Sequence, residues 1–379
     1  MPATPCALSW RRVWRCAAAP APTKRRGCQA KLPWTRKATI YVSQTHTFSG
    51  KIITSTNMEI PNQSPGFNAT INETSASASA YNGPRLILGT LAISGSSSKD
   101  LPALLCHLSK SPIPITAIDT APFYPTHRPG YVESLLGSAL QTSRLSYEVY
   151  TKTMLSTKDG CSAGKGDLHF KRVRESVQSS LGRLKIPKVK TLLAARPDEE
   201  AAVAEIAGVF NAIVKEGLCE QWGLCDFDFR LLSDITKTAD KRGCVPPKVY
   251  QGRYGALHRR RAERLIDFLK ERNMIFLARS TPKSQFSVNI FDIPEVRETI
   301  QVLKAIEDMH SLTPRAVSLR WLAHHSKLRP EDGIILESAT FEELQSDVEE
   351  IHKGPLSNDV LNELDRAWHA EEDNKPNGR

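Results

Sequence analysis

The feature that most constrains this chain is an alternation that begins at Arg85. Eight short apolar or β-branched runs stand at Leu86–Gly89, Ile115–Ile118, Val149–Thr151, Thr191–Ala194, Gln221–Leu224, Lys248–Tyr250, Ile275–Ala278 and Gly333–Leu336. The segments between them are long enough for a crossover helix. Four read as amphipathic helices: Phe170–Leu184, Glu199–Glu216, Arg261–Glu271 and Thr313–His324. In the first of these, Val173, Val177, Leu181 and Leu184 fall on one face. Repeated βα units imply a parallel sheet covered by helices, and eight of them imply closure into a (β/α)8 TIM barrel. The competing open doubly wound sheet calls for a G-x-G-x-x-G turn after the first strand. The first run continues as Gly-Thr-Leu-Ala-Ile-Ser-Gly, without that fingerprint.

The expected organisation is a basic extension over residues 1–57, a linker over 58–84 and the barrel over 85–379. Ten basic residues, Arg11 to Lys51, precede the first acidic residue, Glu59. They account for the whole formal charge of +10, because the chain has 51 Lys and Arg against 41 Asp and Glu. The remaining body is neutral and has no global field to steer a polyanion, which argues against nucleic acid as a partner. No run of 18 apolar residues occurs, so no membrane-spanning helix is expected. The Arg-rich, acid-free extension has either a disordered or a mitochondrial-transit composition. The expected location is therefore cytoplasmic, or mitochondrial if the extension is a transit segment. The eight cysteines form no CxxC pair and show no zinc spacing, so free thiols and no metal are expected.

In such a barrel the chemistry gathers where strands end. Asp119 follows the second run, with Tyr124 five residues on, and Lys152 follows the third. Cys225 and Asp226 follow the fifth, Gln251 and Tyr254 the sixth, and an acidic loop with Glu337 the eighth. A tyrosine is a poor proton donor at neutral pH, and a nearby ammonium lowers its pKa. Asp, Tyr and Lys on one rim are thus either a proton-donating set for carbonyl reduction or a plain ion pair beside a loop tyrosine.

Several motifs carry a resemblance. They are Ile118-Asp119-Thr120-Ala121-Pro122-Phe123-Tyr124, Glu133-Ser134-Leu135-Leu136-Gly137, Thr151-Lys152, Val249-Tyr250-Gln251-Gly252 with Tyr254, Ser318-Leu319-Arg320-Trp321-Leu322 and Gly333-Ile334-Ile335-Leu336. In their order and spacing the chain resembles the aldo-keto reductases, in particular the aflatoxin-aldehyde-reductase-like branch, from Leu86 to about Trp368. The resemblance implies a small-molecule carbonyl substrate, NADPH as cofactor and a monomer or weak homodimer. It makes Tyr124 the general acid, with Lys152 and Asp119 as its tuning pair. It gives Gln251 and Asp226 to the nicotinamide carboxamide and Tyr254 to the ring. Arg279 and Lys283 would meet phosphates, and Glu343 and Asp347 would lie near the adenosine phosphate.

The rim also departs from the family. Ala195 stands where the family has a histidine that donates to the substrate carbonyl. Losing such a donor costs ~2.7–4 kcal/mol, about 10²–10³ in rate. Arg196, or His127 in the loop after Tyr124, is a candidate substitute. The family's Ser-Asn pair is Cys225-Asp226, the glycine pair after the seventh strand is missing, and Glu343 and Asp347 replace Gln and Asn. Carboxylates near a ribose phosphate repel it, which lowers NADPH affinity or shifts preference towards NADH. Two readings follow: an active NAD(P)H-dependent reductase without the histidine, or an impaired relative acting as a cofactor sensor or regulatory protein.

Overall fold

The computed structural model describes residues 81–94, 101–108, 115–142, 146–156, 164–256, 259–279 and 294–373. The expectations for the extension, for most of the linker and for Lys283 lie outside these residues. The eight strands are β1 Arg85–Gly89, β2 Ala117–Asp119, β3 Glu148–Lys152, β4 Val189–Ala194, β5 Cys219–Cys225, β6 Val249–Arg253, β7 Ile275–Arg279 and β8 Gly333–Leu336. All pair in parallel and in sequence order, and β8 pairs with β1, so the sheet closes as a barrel. Every apolar run became a strand. The second starts two residues later than expected and ends one later, at Ala117–Asp119.

Alternation along the strands separates two packing layers. Ile87, Ala117, Tyr150, Leu193, Cys225, Val249, Leu277 and Ile335 point inward and fill the barrel. Their neighbours Leu86, Leu88, Ile118, Leu192, Trp222, Leu224, Tyr250, Phe276, Ile334 and Leu336 point outward into the larger core under the helices. Trp222 stacks on Phe210 of the helix Val203–Lys215, with ring centroids 4.6 Å apart.

Local chemistry sets the helix ends. Asp228 caps Phe229–Lys241 by accepting from the Leu231 N–H. Thr313 caps Pro314–His324, with proline in the first turn, and Thr340 caps Phe341–His352. The helix expected over Glu199–Glu216 begins later, at Val203. The carboxylate of Asp198 holds the preceding turn through the N–H groups of Gly166, Leu168 and Glu200.

The N-terminal end of the barrel is closed by charge. Arg85 pairs with Glu148 at 2.7 Å, and Lys190 bridges Glu148 and Glu220 at 3.5 and 3.0 Å. The opposite end carries the residues singled out from the sequence.

Candidate active site

The inward parity that fills the barrel continues past its last apolar layer. On β2 it leads from Ala117 to Asp119, on β3 from Tyr150 to Lys152, and on β5 and β6 to Cys225 and Gln251. On β7 and β8 it leads from Leu277 to Arg279 and from Ile335 to Glu337. A layer of polar side chains therefore crowns the apolar interior at the C-terminal mouth.

At its centre, Lys152 Nζ donates to both carboxylate oxygens of Asp119 at 2.8 Å and to the Thr120 carbonyl at 3.0 Å. Both side chains are 1–2% exposed. Burial works against the charge of Lys152, but Asp119, together with Tyr124 and Cys225, outweighs it, and the lysine pKa is displaced upward. Gln251 Nε2 donates to Asp119 Oδ1 at 2.8 Å, and the Cys225 thiol donates to Gln251 Oε1 at 3.3 Å. Burial pushes the Cys225 thiol up to about 11, so it stays protonated.

Tyr124 lies over this network, its ring centroid 5.6 Å from Lys152 Nζ. Phe123 meets it edge-on at 5.1 Å, and Ala121 and Val132 pack beside it. The expected lowering of its pKa is corrected here. Lys152 does pull the value down, but burial pushes harder, joined by the negative charge of Asp119 and Glu337, and the net direction is up. The phenol is thus held as the proton-bearing form.

A second cluster spans β4, β5 and β7. The Asp226 carboxylate, on a residue with φ of 57°, pairs with both Arg196 and Arg279. Burial opposes the carboxylate charge, but the two guanidinium groups outweigh it and hold the pKa low. Arg196 thus reaches the mouth, because the chain turns directly after β4. Ala195 itself is buried and has no side-chain donor; its backbone N–H donates to Thr153 Oγ1 at 3.1 Å and its carbonyl accepts from Arg196 at 3.4 Å. His127 is exposed.

The remaining sequence-derived residues are placed elsewhere. Tyr254 lies in the outer core, in contact with Phe276 and Trp321, and its hydroxyl accepts from the Lys327 N–H at 3.1 Å. The expectation that it stacks on a ring at the mouth is therefore corrected: it comes just after β6, on the helix-facing side. Asp347 is buried in an ion pair with Arg315 and accepts from Ser338 Oγ at 2.6 Å. Glu343 accepts from the Ala339 N–H at 2.9 Å while its own N–H donates to Thr340 Oγ1, closing the helix cap. These two carboxylates are held by the protein's own groups at the loop and helix that follow β8.

Glu337 is the residue the sequence reading underweighted. It is 4% exposed, one residue past β8, and strand parity alone turns it inward. Burial pushes its carboxyl up to about 7.

The mouth suits an anionic nicotinamide cofactor. Arg279 Nε is buried with no hydrogen-bond partner among the described residues, and its guanidinium pairs with the Asp226 carboxylate that Arg196 also meets. Gln251 has one amide hydrogen and one oxygen lone pair left after its two contacts, a donor and an acceptor for a carboxamide. Arg279 and Gln251 would hold the cofactor, with Arg196 adding charge.

Residues 85–369 match the family model described as the aldo/keto reductase family, and the chain belongs to that family. It is 24% identical over 225 residues to an aldo-keto reductase of Pseudocercospora fijiensis, covering 52% of this chain and 76% of that one. It is 25% identical over 295 residues to human aflatoxin B1 aldehyde reductase member 2, covering 69% and 80% respectively. The fold is similar to that of a glycerol dehydrogenase from Gluconobacter oxydans, with a TM-score of 0.60 at 18% identity, over 78% of this chain and 95% of that one. Among the described residues no helix is long and apolar enough to cross a membrane.

Proposed function

We propose that the protein reduces an aldehyde or ketone to an alcohol with NADPH, or NADH, as hydride donor, and that Tyr124 is the general acid. The observation that carries this reading is the buried Asp119–Lys152 pair beneath Tyr124. An ammonium held in its charged form by a carboxylate, this close to a tyrosine ring, can stabilise negative charge that develops on the phenolic oxygen.

When bound, the cofactor supplies a hydride to the carbonyl carbon. Tyr124 gives its hydroxyl proton to the carbonyl oxygen as the C=O electron pair moves onto it. Lys152 stabilises the resulting phenolate, and Asp119 keeps Lys152 in place and charged. The phenolate then regains a proton from solvent. Arg196, at the mouth beside Ala195, takes the place of the family histidine as a cationic neighbour of the reacting oxygen. The aflatoxin-aldehyde-reductase relatives support an aldehyde as the first substrate class to assay.

The test is steady-state turnover of the full chain. Tyr124→Phe is expected to lower kcat by about 10²–10⁴ with cofactor affinity unchanged. Cofactor binding without turnover in the wild type would favour the sensor or regulatory reading instead.

A further inference from the structure

Glu337 is a second buried carboxyl in the mouth, and the proposed mechanism leaves it without a task. Its carboxyl packs against the end of β1: a Cβ added at Gly89 would lie 2.7 Å from Glu337 Cδ and Oε1 and from Ile335 Cγ2. Gly89 is in register with Asp119 on β2, which puts the Glu337 carboxyl one strand away from the buried ion pair. Its hydrogen bond to the main chain comes from the Ala92 N–H at 3.3 Å.

Among the described residues, charged groups on three strands act on it. Asp119 on β2 disfavours its ionisation, while Lys152 on β3 and Arg279 on β7 favour it. Its charge in turn raises the pKa of Tyr124 in the loop after β2. Arg315, on the helix Pro314–His324, donates to the Glu337 carbonyl oxygen at 3.3 Å, but its charge is already paired with Asp347 on the helix Phe341–His352. Neutral Glu337 leaves the Asp119–Lys152 pair and the Arg279–Asp226 contact as they stand; ionised Glu337 adds one negative charge beside them.

The geometry points to Glu337 as a proton-operated charge gate in the barrel mouth. Its neutral form keeps an added negative charge out of the mouth, which favours an anionic hydride donor and the charge growing on a carbonyl oxygen; ionisation puts that charge there. The direction follows from charge alone, since negative charge in a desolvated mouth opposes both the donor and the developing oxyanion. Ionisation also makes Tyr124 a weaker acid. Burial places the switch at about pH 7. Glu337 acts on the reaction through the field it sets and is a positioning residue. This inference rests on the carbonyl-reductase reading.

The experiment compares the full-length wild type with Glu337→Gln and Glu337→Ala. In cofactor-free protein, pH-difference infrared spectroscopy should show a carboxylic-acid C=O band lost around pH 7 in the wild type and missing from both variants. Fluorescence titration with NADPH should show affinity that weakens through the same pH in the wild type, and less so in the variants. Where turnover is measured, wild-type kcat/KM should fall in proportion to proton concentration above the transition, while both variants lose that limb. A carboxylate already ionised at the acid end of the range overturns the proposal, as does an unchanged pH dependence of NADPH binding in both variants. Absence of turnover at every pH would instead count against the reductase reading, and the infrared and binding results would still decide the role of Glu337.

Discussion

At the scale of single residues, the mouth is a problem in burying charge. Lys152 and Asp119 are tolerated because each has the other, with Gln251 and the Thr120 carbonyl taking further valences. Lys152→Met leaves Asp119 buried and unpaired, a change that costs ~3–5 kcal/mol; chemical denaturation should show that loss together with loss of turnover. Glu337 titrates the other way. Its carboxyl sits near 4.5 when unfolded and about 7 when folded, so between those values the native state holds a proton that the unfolded chain has lost. Its stabilising contribution is full below the unfolded value and vanishes as pH rises through the folded one. Relative to wild type, Glu337→Gln should therefore gain stability across this window, reaching on the order of 3 kcal/mol at its alkaline end. Melting curves of the two proteins at matched pH check this, and a difference that does not change with pH contradicts it.

Asp119 and Lys152 were legible as a pair because each directly follows an apolar run. Glu337 was equally legible by parity from Ile335, but an acidic residue among others in a loop reads as solvated surface. The role first given to Tyr254 failed for the converse reason. Its motif fixes its place along the chain, whereas the side on which a residue lies past the end of a strand depends on how the loop leaves the barrel.

At the scale of elements, what decides the architecture is how closely neighbours approach. A Cβ at Gly223 on β5 would stand 2.1 Å from the Val249 carbonyl oxygen on β6. Gly223→Ala should therefore push apart the two strands that position Cys225 and Gln251. A cost of ~1–3 kcal/mol is expected, with weaker cofactor binding by fluorescence titration; unaltered affinity and stability would show that the strand pair gives way freely. Helix ends give smaller effects. Thr340→Ala removes a hydroxyl that accepts from the Glu343 N–H and should cost ~1 kcal/mol, read as a lower denaturation midpoint. The eight strands were legible because a short β-branched run buried on both faces has few other uses. Helix starts were less so: Asp198 delays the helix expected from Glu199 through hydrogen bonds to Gly166 and Leu168, far away in sequence.

At the scale of the whole molecule, the barrel separates stability from chemistry by its two ends. Exposed and half-buried ion pairs close the N-terminal end around Arg85, Glu148 and Lys190. The C-terminal mouth concentrates buried groups whose charges are mutually constrained. The fold and the family follow from residues spread over the whole barrel, while Ala195, Asp226 and Glu337 gather at the mouth. There Ala195 is followed by Arg196, whose guanidinium pairs with Asp226, and Glu337 adds a buried carboxyl. The measurement that tests this most directly is oxidation of NADPH by the full-length protein against a panel of aldehydes, followed at the reduced-nicotinamide absorbance for wild type, Tyr124→Phe and Arg196→Met. Turnover in the wild type that collapses in Tyr124→Phe and weakens in Arg196→Met is the predicted result. Turnover that survives Tyr124→Phe undiminished, or NADPH bound by the wild type but never oxidised, would contradict it.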